Sequence, residues 1–466
     1  MSRKKNRIEN DSLGKIAIPK NVLWGAQTQR AINNFPISGI KFTFPFSRTF
    51  IMALGVIKGA AAKANKTIGL LDAKRSRAIF KASKEVWSGK HDNQFPIDIF
   101  QTGSGTSTNM NANEVIATLA SKYSGTEVDP NDHVNMGQSS NDVIPTAINI
   151  SSHCDMCHSL LPSLDLLITT IETKSNKLKD VIKTGRTHLM DAMPLNMSQE
   201  LSAWVDQLEL TKESLLKVSD QLLLMPQGGT AVGTGINTHP RFSKEFAKEV
   251  SKLGKFKAIP SANFFRSLSA QDTSLRLSGE MRNLATILMK ISNDLRWMNS
   301  GPLSGLSEIE LKALQPGSSI MPGKVNPVIP EAVMMVSAEV IGNDSTITIA
   351  AQSGNFQLNV MLPVIAFKLL ESINILSGAM DVLAKKAIRT FKVKHTNIQH
   401  SLNKNPILVT ALNPVIGYSK AAEIAKRAYK EGKSIKEIAL EMTNLSEKKL
   451  DYLLDPSRLT KGGINR

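Results

Sequence analysis

Residues 284–298 read LATILMKISNDLRWM, and this stretch decides the fold class. Apolar side chains recur in alternating steps of four and three, at Leu284, Leu288, Ile291, Leu295 and Met298. Such spacing puts the side chains on one face of an α-helix and suits a helix packed nearly parallel or antiparallel to its neighbours. The stretch therefore predicts a long helix within a bundle.

Helical spacing recurs through the middle of the chain. One apolar face is marked by Leu164, Leu167, Ile168, Ile171 and Leu178. Further helical patterns cover residues 199–224, 332–341 and 367–387, whereas strand-like alternation between turn residues is scarce. We therefore predict a mainly all-α fold. Stretches rich in turn or polar residues at 129–132 and 392–404 are candidate boundaries.

Composition limits the possible functions of this 466-residue chain. It carries 57 Lys and Arg against 40 Asp and Glu, a formal charge of +17, which could suit nucleic acid, an anionic membrane or an acidic substrate. The basic residues are scattered, with modest clusters at residues 3–7, 385–389 and 448–449, and aromatics are only 5%. We therefore expect no nucleic-acid partner.

The start of the chain is basic, but polar and acidic residues follow it where a signal peptide would have an apolar region. No uninterrupted apolar run approaches the length of a membrane span. We therefore expect a cytoplasmic protein with no membrane partner.

The only two cysteines lie in HCDMCH, residues 153–158. This window matches the C-x-x-C-H pattern of covalent haem attachment and also resembles a short Cys/His metal site. Haem attachment of this type normally accompanies export, which nothing in the sequence indicates. We favour the simpler interpretation that Cys154 and Cys157 are small, partly buried helix residues.

Polar loops separate the helical patterns, at residues 102–113, 135–142, 184–191, 227–239 and 301–327. The first two offer hydroxyls and backbone N–H groups that suit a carboxylate or phosphate at a helix start, although such a loop taken alone is more often an N-cap and turn. The third loop holds His188 between a hydroxyl and a carboxylate, and a lone histidine is as often structural as functional. The fourth loop is too rich in glycine for a helix interior.

The last loop ends in GSSIMPGKVNP, residues 317–327, which is the most informative of the polar segments. Its glycines permit unusual backbone angles and its prolines interrupt regular structure, so we predict a shaped loop rather than a helix. Two hydroxyls, an ammonium group and an amide would then face one ligand. These groups suit the stabilisation of a carbanion beside a carboxylate.

Five motifs taken together resemble one family. They are QTGSGTSTNMN (101–111), HVNMGQSSND (133–142), TGRTHLMDAMP (184–194), GGTAVGTG (228–235) and GSSIMPGKVNP (317–327). In this order and at these intervals they resemble the fumarase/aspartase superfamily, and most closely the class II, metal-independent fumarases. The resemblance covers nearly the whole chain.

The resemblance implies an architecture and an assembly. The expected fold has three domains: residues 1–138 with a substrate-binding loop, 139–395 as a central long-helix bundle with catalytic loops, and 396–466 as a small C-terminal helical domain. The bundle would assemble into the core of a homotetramer whose sites are shared between subunits. The expected substrate is a small dicarboxylate, with no cofactor and no metal.

The implied activity is fumarate hydratase, and the alternative is aspartate ammonia-lyase, which shares the fold and the base. Ser104, Ser140 and the Gly228–Gly229 pair resemble the fumarase versions of their motifs. The implied catalytic residues are Ser318 as base, His188 as proton donor to the leaving hydroxide, Lys324 as stabiliser of the intermediate and Glu331 as partner of the imidazole. The implied substrate-binding residues are Ser104, Gly105, Thr106, Ser139, Ser140, Asn141, Thr187, Ser319, Lys324, Val325 and Asn326.

The chain departs from the family pattern at an accessory site. Many class II fumarases have a second dicarboxylate site with Arg and His just before a Pro-Asn-Asp sequence. Here Glu127, Val128 and Asp129 precede Pro130. We therefore expect the accessory site to be absent or altered.

Overall fold

The computed structural model describes residues 6–43 and 45–464, so part of the basic cluster at 3–7 lies outside the described residues. This part of the chain is mainly helical. Its α-helices are α1 (Ala26–Asn34), α2 (Arg48–Thr67), α3 (Ala73–Trp87), α4 (Thr106–Ser124), α5 (Ser140–Asp155), α6 (Leu161–Lys177), α7 (Met197–Leu222), α8 (Phe242–Gly254), α9 (Phe264–Ser269), α10 (Asp272–Met298), α11 (Val328–Ala351), α12 (Leu362–Val382), α13 (His395–Lys404), α14 (Asn413–Ile416), α15 (Tyr418–Glu431), α16 (Ile435–Met442), α17 (Glu447–Leu454) and α18 (Pro456–Leu459).

Short strands and irregular helical turns complete the described elements. The strands are β1 (Asn6–Asp11), β2 (Gly14–Pro19), β3 (Ile182–Thr187), β4 (Met190–Asn196), β5 (Leu224–Met225), β6 (Ile259–Pro260), β7 (Ile309–Glu310), β8 (Gly354–Asn355), β9 (Leu358–Asn359) and β10 (Lys392–Val393). They pair as β1–β2, β3–β4, β5–β6, β8–β9 and β7–β10, and only β5–β6 is parallel. Single π-helical turns are Pro130–Val134, Met156–Leu160 and Leu383–Ile388. Turns of 3-10 helix are Asp92–Gln94 and Pro406–Leu412.

The predicted all-α fold class is confirmed. The stretch at 284–298 lies within α10, and all five residues of its apolar face are buried. The patterns at 199–224, 332–341 and 367–387 correspond to α7, α11 and α12 with its π-helical extension. The four-and-three spacing located these helices because each has one face in the core.

The chain divides into two compact units. The first comprises the described parts of residues 1–162 together with 211–285 and 337–377, and the second comprises 163–210, 286–336 and the described parts of 378–466. The division at 138 and 395 into three domains remains a prediction. In the C-terminal part of the second unit, α15, α16 and α17 enclose a small apolar cluster that includes Ile424, Ile438 and Leu450.

One helical stretch of the described residues, Leu362–Ile388, is long and apolar enough to cross a membrane, but 67% of its apolar window is buried within the protein. Core helices of globular proteins have the same length and composition.

A buried carboxylate in the first unit holds the start of α1. Glu114 on α4 accepts hydrogen bonds from the backbone N–H groups of Gly25 at 2.8 Å, Gln27 at 2.9 Å and Thr28 at 3.2 Å. These N–H groups have no partner within their own helix, because a helix leaves its first donors unpaired. Burial raises the pKa of Glu114, while the donors oppose that rise.

We expect Glu114→Ala to lower the free energy of unfolding by about 3 kcal/mol, because three backbone N–H groups at the start of α1, that of buried Thr28 among them, would lose their acceptor. Denaturant unfolding followed by circular dichroism measures this loss. Glu127→Ala, which removes an exposed carboxylate, is the control and should change the free energy by less than about 0.5 kcal/mol. Equal unfolding midpoints for the two variants would show that Glu114 does not support α1.

Candidate active site

Two helix starts in the first unit carry the predicted hydroxyls. Thr106 begins α4 and Ser140 begins α5, and their side-chain oxygens lie 2.7 Å apart. The Ser104 hydroxyl lies 2.8 Å from that of Thr106. Helix N-termini have a partial positive charge, and hydroxyls donate readily to a carboxylate. The structure thus brings Ser104, Thr106 and Ser140 together into a group suited to bind a carboxylate.

Gly105 allows the two helices to approach this closely. Its φ is +72°, in the left-handed region that favours glycine. A Cβ at this position would also lie 2.9 Å from the Ile144 side chain on α5. The N–H of Gly105 donates to the carbonyl of Thr102 at 2.8 Å. Its visible contribution is therefore to shape the start of α4.

Ser139 and Asn141 organise the start of α5. The hydroxyl of Ser139 accepts from the N–H of Asn141 at 3.2 Å, and the N–H of Ser139 donates to the Asp142 carboxylate at 2.9 Å, which forms a capping box. The side-chain amide of Asn141 donates to the carbonyl of Ala231 at 2.8 Å. The N-cap interpretation of this loop is therefore correct for Ser139, which lies next to the Ser140 hydroxyl.

A buried charge pair that the sequence did not predict lies under these residues. Lys58 on α2 and Asp142 on α5 are both fully buried. Burial lowers the pKa of Lys58 to about 7, against the opposing effect of the Asp142 charge. Burial also raises the pKa of Asp142 to about 6, while backbone donors and Lys58 oppose the rise. The available signal was a lysine in GVIKGAAA, a stretch otherwise made of small and apolar residues.

In the second unit, His188 lies at the tip of the β3–β4 hairpin. His188 and Leu189 have φ values of +56° and +61°, as the two central residues of a type I′ turn require. Such turns favour Asn-Gly, so two side-chain-bearing residues in this conformation are strained. Thr187, His188 and Leu189 are exposed, so the hairpin presents the imidazole to solvent.

Charged residues anchor the base of this hairpin. Lys183 on β3 is almost fully buried and contacts Glu200 at 2.9 Å and Glu308 at 2.8 Å. Arg186 contacts the other oxygen of Glu308 at 2.8 Å. The two positive charges of Lys183 and Arg186 are therefore neutralised by the two negative charges of Glu200 and Glu308. Buried charges are tolerated when they are paired in this way. This pairing holds β3, which ends at Thr187 directly before His188.

The loop at 317–327 is irregular, as the sequence predicted, and its two ends are tied together. The N–H of Gly317 donates to the carbonyl of Lys324 at 2.8 Å, and the side-chain amide of Asn326 donates to the carbonyl of Gly317 at 2.6 Å. A Cβ on Gly317 would lie 2.3 Å from the Lys324 carbonyl oxygen, so the closure requires glycine. Residues 318–323 project as a closed loop.

The Ser318 oxygen accepts two backbone hydrogen bonds within this loop. The N–H of Ile320 lies 3.2 Å and the N–H of Met321 lies 2.9 Å from its Oγ. Two such donors favour a negatively charged oxygen over a neutral one. Ser319 and Lys324, which belong to the same loop, are exposed to solvent. This geometry suits a serine that acts as a base.

Lys324, Val325, Asn326 and Glu331 line one cavity of about 790 Å³ in the second unit. Other polar side chains complete its wall, among them Asn293, Arg296, Asn299, Glu310 and Lys394. Thr187 and His188 are not among its lining residues. The structure therefore brings residues 323–327 of the loop and Glu331 together at this cavity. Ser318 and Ser319 are not among its lining residues, and His188 is presented separately on its hairpin.

Asp129 directly precedes Pro130, where the sequence departs from the family pattern of the accessory site. Its carboxylate accepts from the N–H groups of Asn131 at 2.7 Å and Asp132 at 2.8 Å, at the start of the π-helical turn Pro130–Val134. The N–H of Asp129 itself donates to Nδ1 of His133. These donors are bonded to the chain's own carboxylate, and the absence or alteration of the accessory site remains a prediction.

The cysteine window shows no cluster suited to a metal. Cys154 is partly buried and Cys157 is exposed, and neither forms a disulfide. Burial raises the pKa of the Cys154 thiol to about 12, which disfavours the reactive thiolate. Within residues 6–43 and 45–464, no group of three or more His, Cys, Asp and Glu side chains is placed to hold a metal ion.

Known proteins resemble this chain over nearly its full length. Residues 14–342 match the family model described as "Lyase", and residues 408–461 match "Fumarase C C-terminus". Fumarate hydratase class II 2 of Pseudomonas aeruginosa is 54% identical over 98% of this chain and 99% of its own. Fumarate hydratase class II of Xylella fastidiosa strain Temecula1 is 55% identical over 98% of this chain and 96% of its own.

Solved structures also resemble this chain over nearly its full length. The class II fumarase from Schistosoma mansoni superimposes with a TM-score of 0.94 at 39% identity, covering 98% of this chain and 99% of that one. The fumarate lyase:delta crystallin from Brucella melitensis bound to cobalt gives the same score and identity, covering 98% and 100%. Together with the two matching family models, these similarities show that the chain belongs to the class II fumarate hydratase family.

Proposed function

We propose that this chain is a fumarate hydratase, which catalyses the reversible anti addition of water to fumarate and so forms L-malate. One observation carries the proposal: 54% identity to a class II fumarate hydratase extends over 98% of the chain. The three hydroxyls of Ser104, Thr106 and Ser140 lie at the starts of α4 and α5. They support a carboxylate substrate, because helix N-termini and short polar side chains both bind anions.

In the direction of dehydration, Ser318 takes the proton from the malate carbon next to one carboxylate. A serine hydroxyl is a weak base unless its anionic form is stabilised. The two backbone N–H donors on its Oγ support this role, because they favour the alkoxide. Lys324 adds positive charge in the same loop.

Loss of the carbon-bound proton leaves an aci-carboxylate, which carries extra negative charge. Lys324 and Asn326 stabilise this intermediate through an ammonium group and an amide. Their common position on the wall of the second unit's cavity supports this assignment. His188, acting directly or through a water, protonates the departing hydroxide on the opposite face. Glu331 orients the imidazole and favours its charged form.

We further propose that the substrate carboxylates are bound by Ser104, Gly105, Thr106, Ser139, Ser140, Asn141, Thr187, Ser319, Lys324, Val325 and Asn326. The reaction as written needs no metal or other cofactor. The proposed compartment is the cytoplasm.

A homotetramer is the proposed assembly, with each site built from more than one subunit. Support comes from α11, on which the apolar side chains of Met335 and Ile349 are 69% and 58% exposed. Exposed apolar patches mark interaction sites, so a second copy is the natural cover. On α7, Leu210 and Leu216 are also exposed.

The direct test is an assay of the purified protein with fumarate in the absence of ammonia. We expect the ultraviolet absorbance of fumarate to fall as the double bond is hydrated, and L-malate to accumulate in equal amount. An absorbance that stays constant at high enzyme concentration would contradict the proposal and would favour a non-catalytic relative with the same fold.

A further inference from the structure

Lys58 is a fully buried lysine that the proposed mechanism does not use. It lies on α2, where its sequence neighbours Ile57, Gly59 and Ala60 are buried as well. Removing an ammonium group from water is costly, so such a residue persists only where its surroundings compensate for the loss. Its hydrogen bonds lead to the segment directly before α5.

Hydrogen bonds link Lys58 to the segment before α5 and, through Asn135, to α4. Its Nζ donates to the side-chain oxygens of Asn135 at 2.9 Å and Gln138 at 3.0 Å, directly before the Ser139 cap of α5. The same Asn135 oxygen accepts from the amides of Asn109 at 3.3 Å and Asn113 at 3.1 Å on α4. One ammonium group and one amide oxygen thus join α2, α4 and the segment that leads into α5.

The charge of Lys58 also acts on the carboxylate of Asp142. The carboxylate of Asp142, in the first turn of α5, accepts from the N–H groups of Gly228 at 3.0 Å and Thr230 at 2.9 Å as well as from Ser139. It therefore ties two loops together, but it also places a negative charge under a site that must accept an anion. Lys58 is the oppositely charged group that interacts with it.

We propose that Lys58 is a positioning residue for the dicarboxylate: it keeps the Thr106 and Ser140 hydroxyls in register and offsets the charge of Asp142 beneath them. This inference rests on the proposed function. Lys58 acts through Asn135, Gln138 and Asp142, and it need not touch the substrate. Its removal should weaken the binding of substrate and transition state alike, because the carboxylate is bound in both.

The test is Lys58→Met, which keeps the length of the side chain and removes its charge. We expect KM for fumarate, and the inhibition constant of the unreactive dicarboxylate succinate, to rise by about tenfold while kcat stays within about threefold, the pattern of lost uniform binding. The matched control is Lys66→Met, on the exposed side of the last turn of α2, which should leave both constants unchanged.

The double variant Lys58→Met/Asp142→Asn separates the effect of charge from a loss of local structure. Removing the uncompensated negative charge should recover at least about threefold of the lost affinity, whereas a merely structural role would make the double variant worse. If Lys58→Met does not fold, Lys58→Gln, which keeps an N–H donor without the charge, takes its place. A thermal melt like that of the wild type identifies the folded variant to be assayed.

Two results would overturn the inference. One is a folded Lys58 variant whose KM and succinate inhibition constant equal those of the wild type. The other is a double variant with no recovery. Failure of the proposed function is distinct, because then the wild-type protein itself would not hydrate fumarate.

Discussion

Replacing Ser318 with alanine is expected to lower kcat for fumarate hydration by about a thousandfold, within the range typical of a positioned general base. The expectation follows from the loop geometry, in which the Ser318 oxygen accepts from two backbone N–H groups. Such donors stabilise the alkoxide more than the neutral hydroxyl. Steady-state rates in both directions measure the effect.

The fold should survive this change. Ser318 lies in an irregular, partly exposed loop, and water can replace its hydroxyl as an acceptor. A thermal melt unchanged from the wild type would therefore accompany the loss of rate. Ser304→Ala, an exposed serine in the same polar segment, is the control and should retain full activity. Near-normal rates for Ser318→Ala would show that another group removes the proton.

The second large effect is expected for Lys324→Met, which should lower kcat by about a hundredfold to a thousandfold. Enzymes lose about this much rate when one hydrogen-bond donor to a developing negative charge is removed. Lys324 is exposed at the wall of the 790 Å³ cavity, beside Asn326 and Glu331. The aci-carboxylate carries more negative charge than fumarate or malate. The ammonium group therefore stabilises the transition state more than the bound substrate.

Comparison of kcat with KM distinguishes this role from simple binding. A rise in KM with unchanged kcat would mean that Lys324 binds substrate and transition state equally, which would contradict its assignment to the intermediate. Lys312→Met is the matched control, because it removes an exposed lysine shortly before the same loop. It should change neither constant.

The sequence predicted the helices well because helix formation in this protein follows local periodicity. The spacing at 284–298 needed no knowledge of the partners of α10, since one apolar face is enough to indicate a buried side. The irregular loop at 317–327 was predicted for a similarly local reason, since glycine and proline restrict the backbone at their own positions.

Other features depend on contacts between distant residues and were missed. The β3–β4 hairpin has no Asn-Gly turn to reveal it, and it tolerates His188 and Leu189 at positive φ because Lys183 and Glu308 anchor its base. Lys58 was overlooked because its partners lie about eighty residues away. A periodic pattern cannot indicate which distant carboxylate or amide compensates a buried charge.

Among the residues of the candidate site, those that favour malate over aspartate lie in the first unit. The hydroxyls of Ser104 and Ser140 flank that of Thr106, and these two serines are the positions at which the motifs resemble fumarases rather than aspartases. The loop at 317–327 suits either reaction, because both remove a proton beside a carboxylate. Ser104 and Ser140 therefore carry the preference for malate in the proposed function.

The most direct test of the central claim offers the purified protein L-malate and, separately, L-aspartate, and follows the formation of fumarate by its ultraviolet absorbance. The proposed function predicts that fumarate forms from L-malate and does not form from L-aspartate. Turnover of L-aspartate alone would contradict it and would identify an ammonia-lyase built on the same fold.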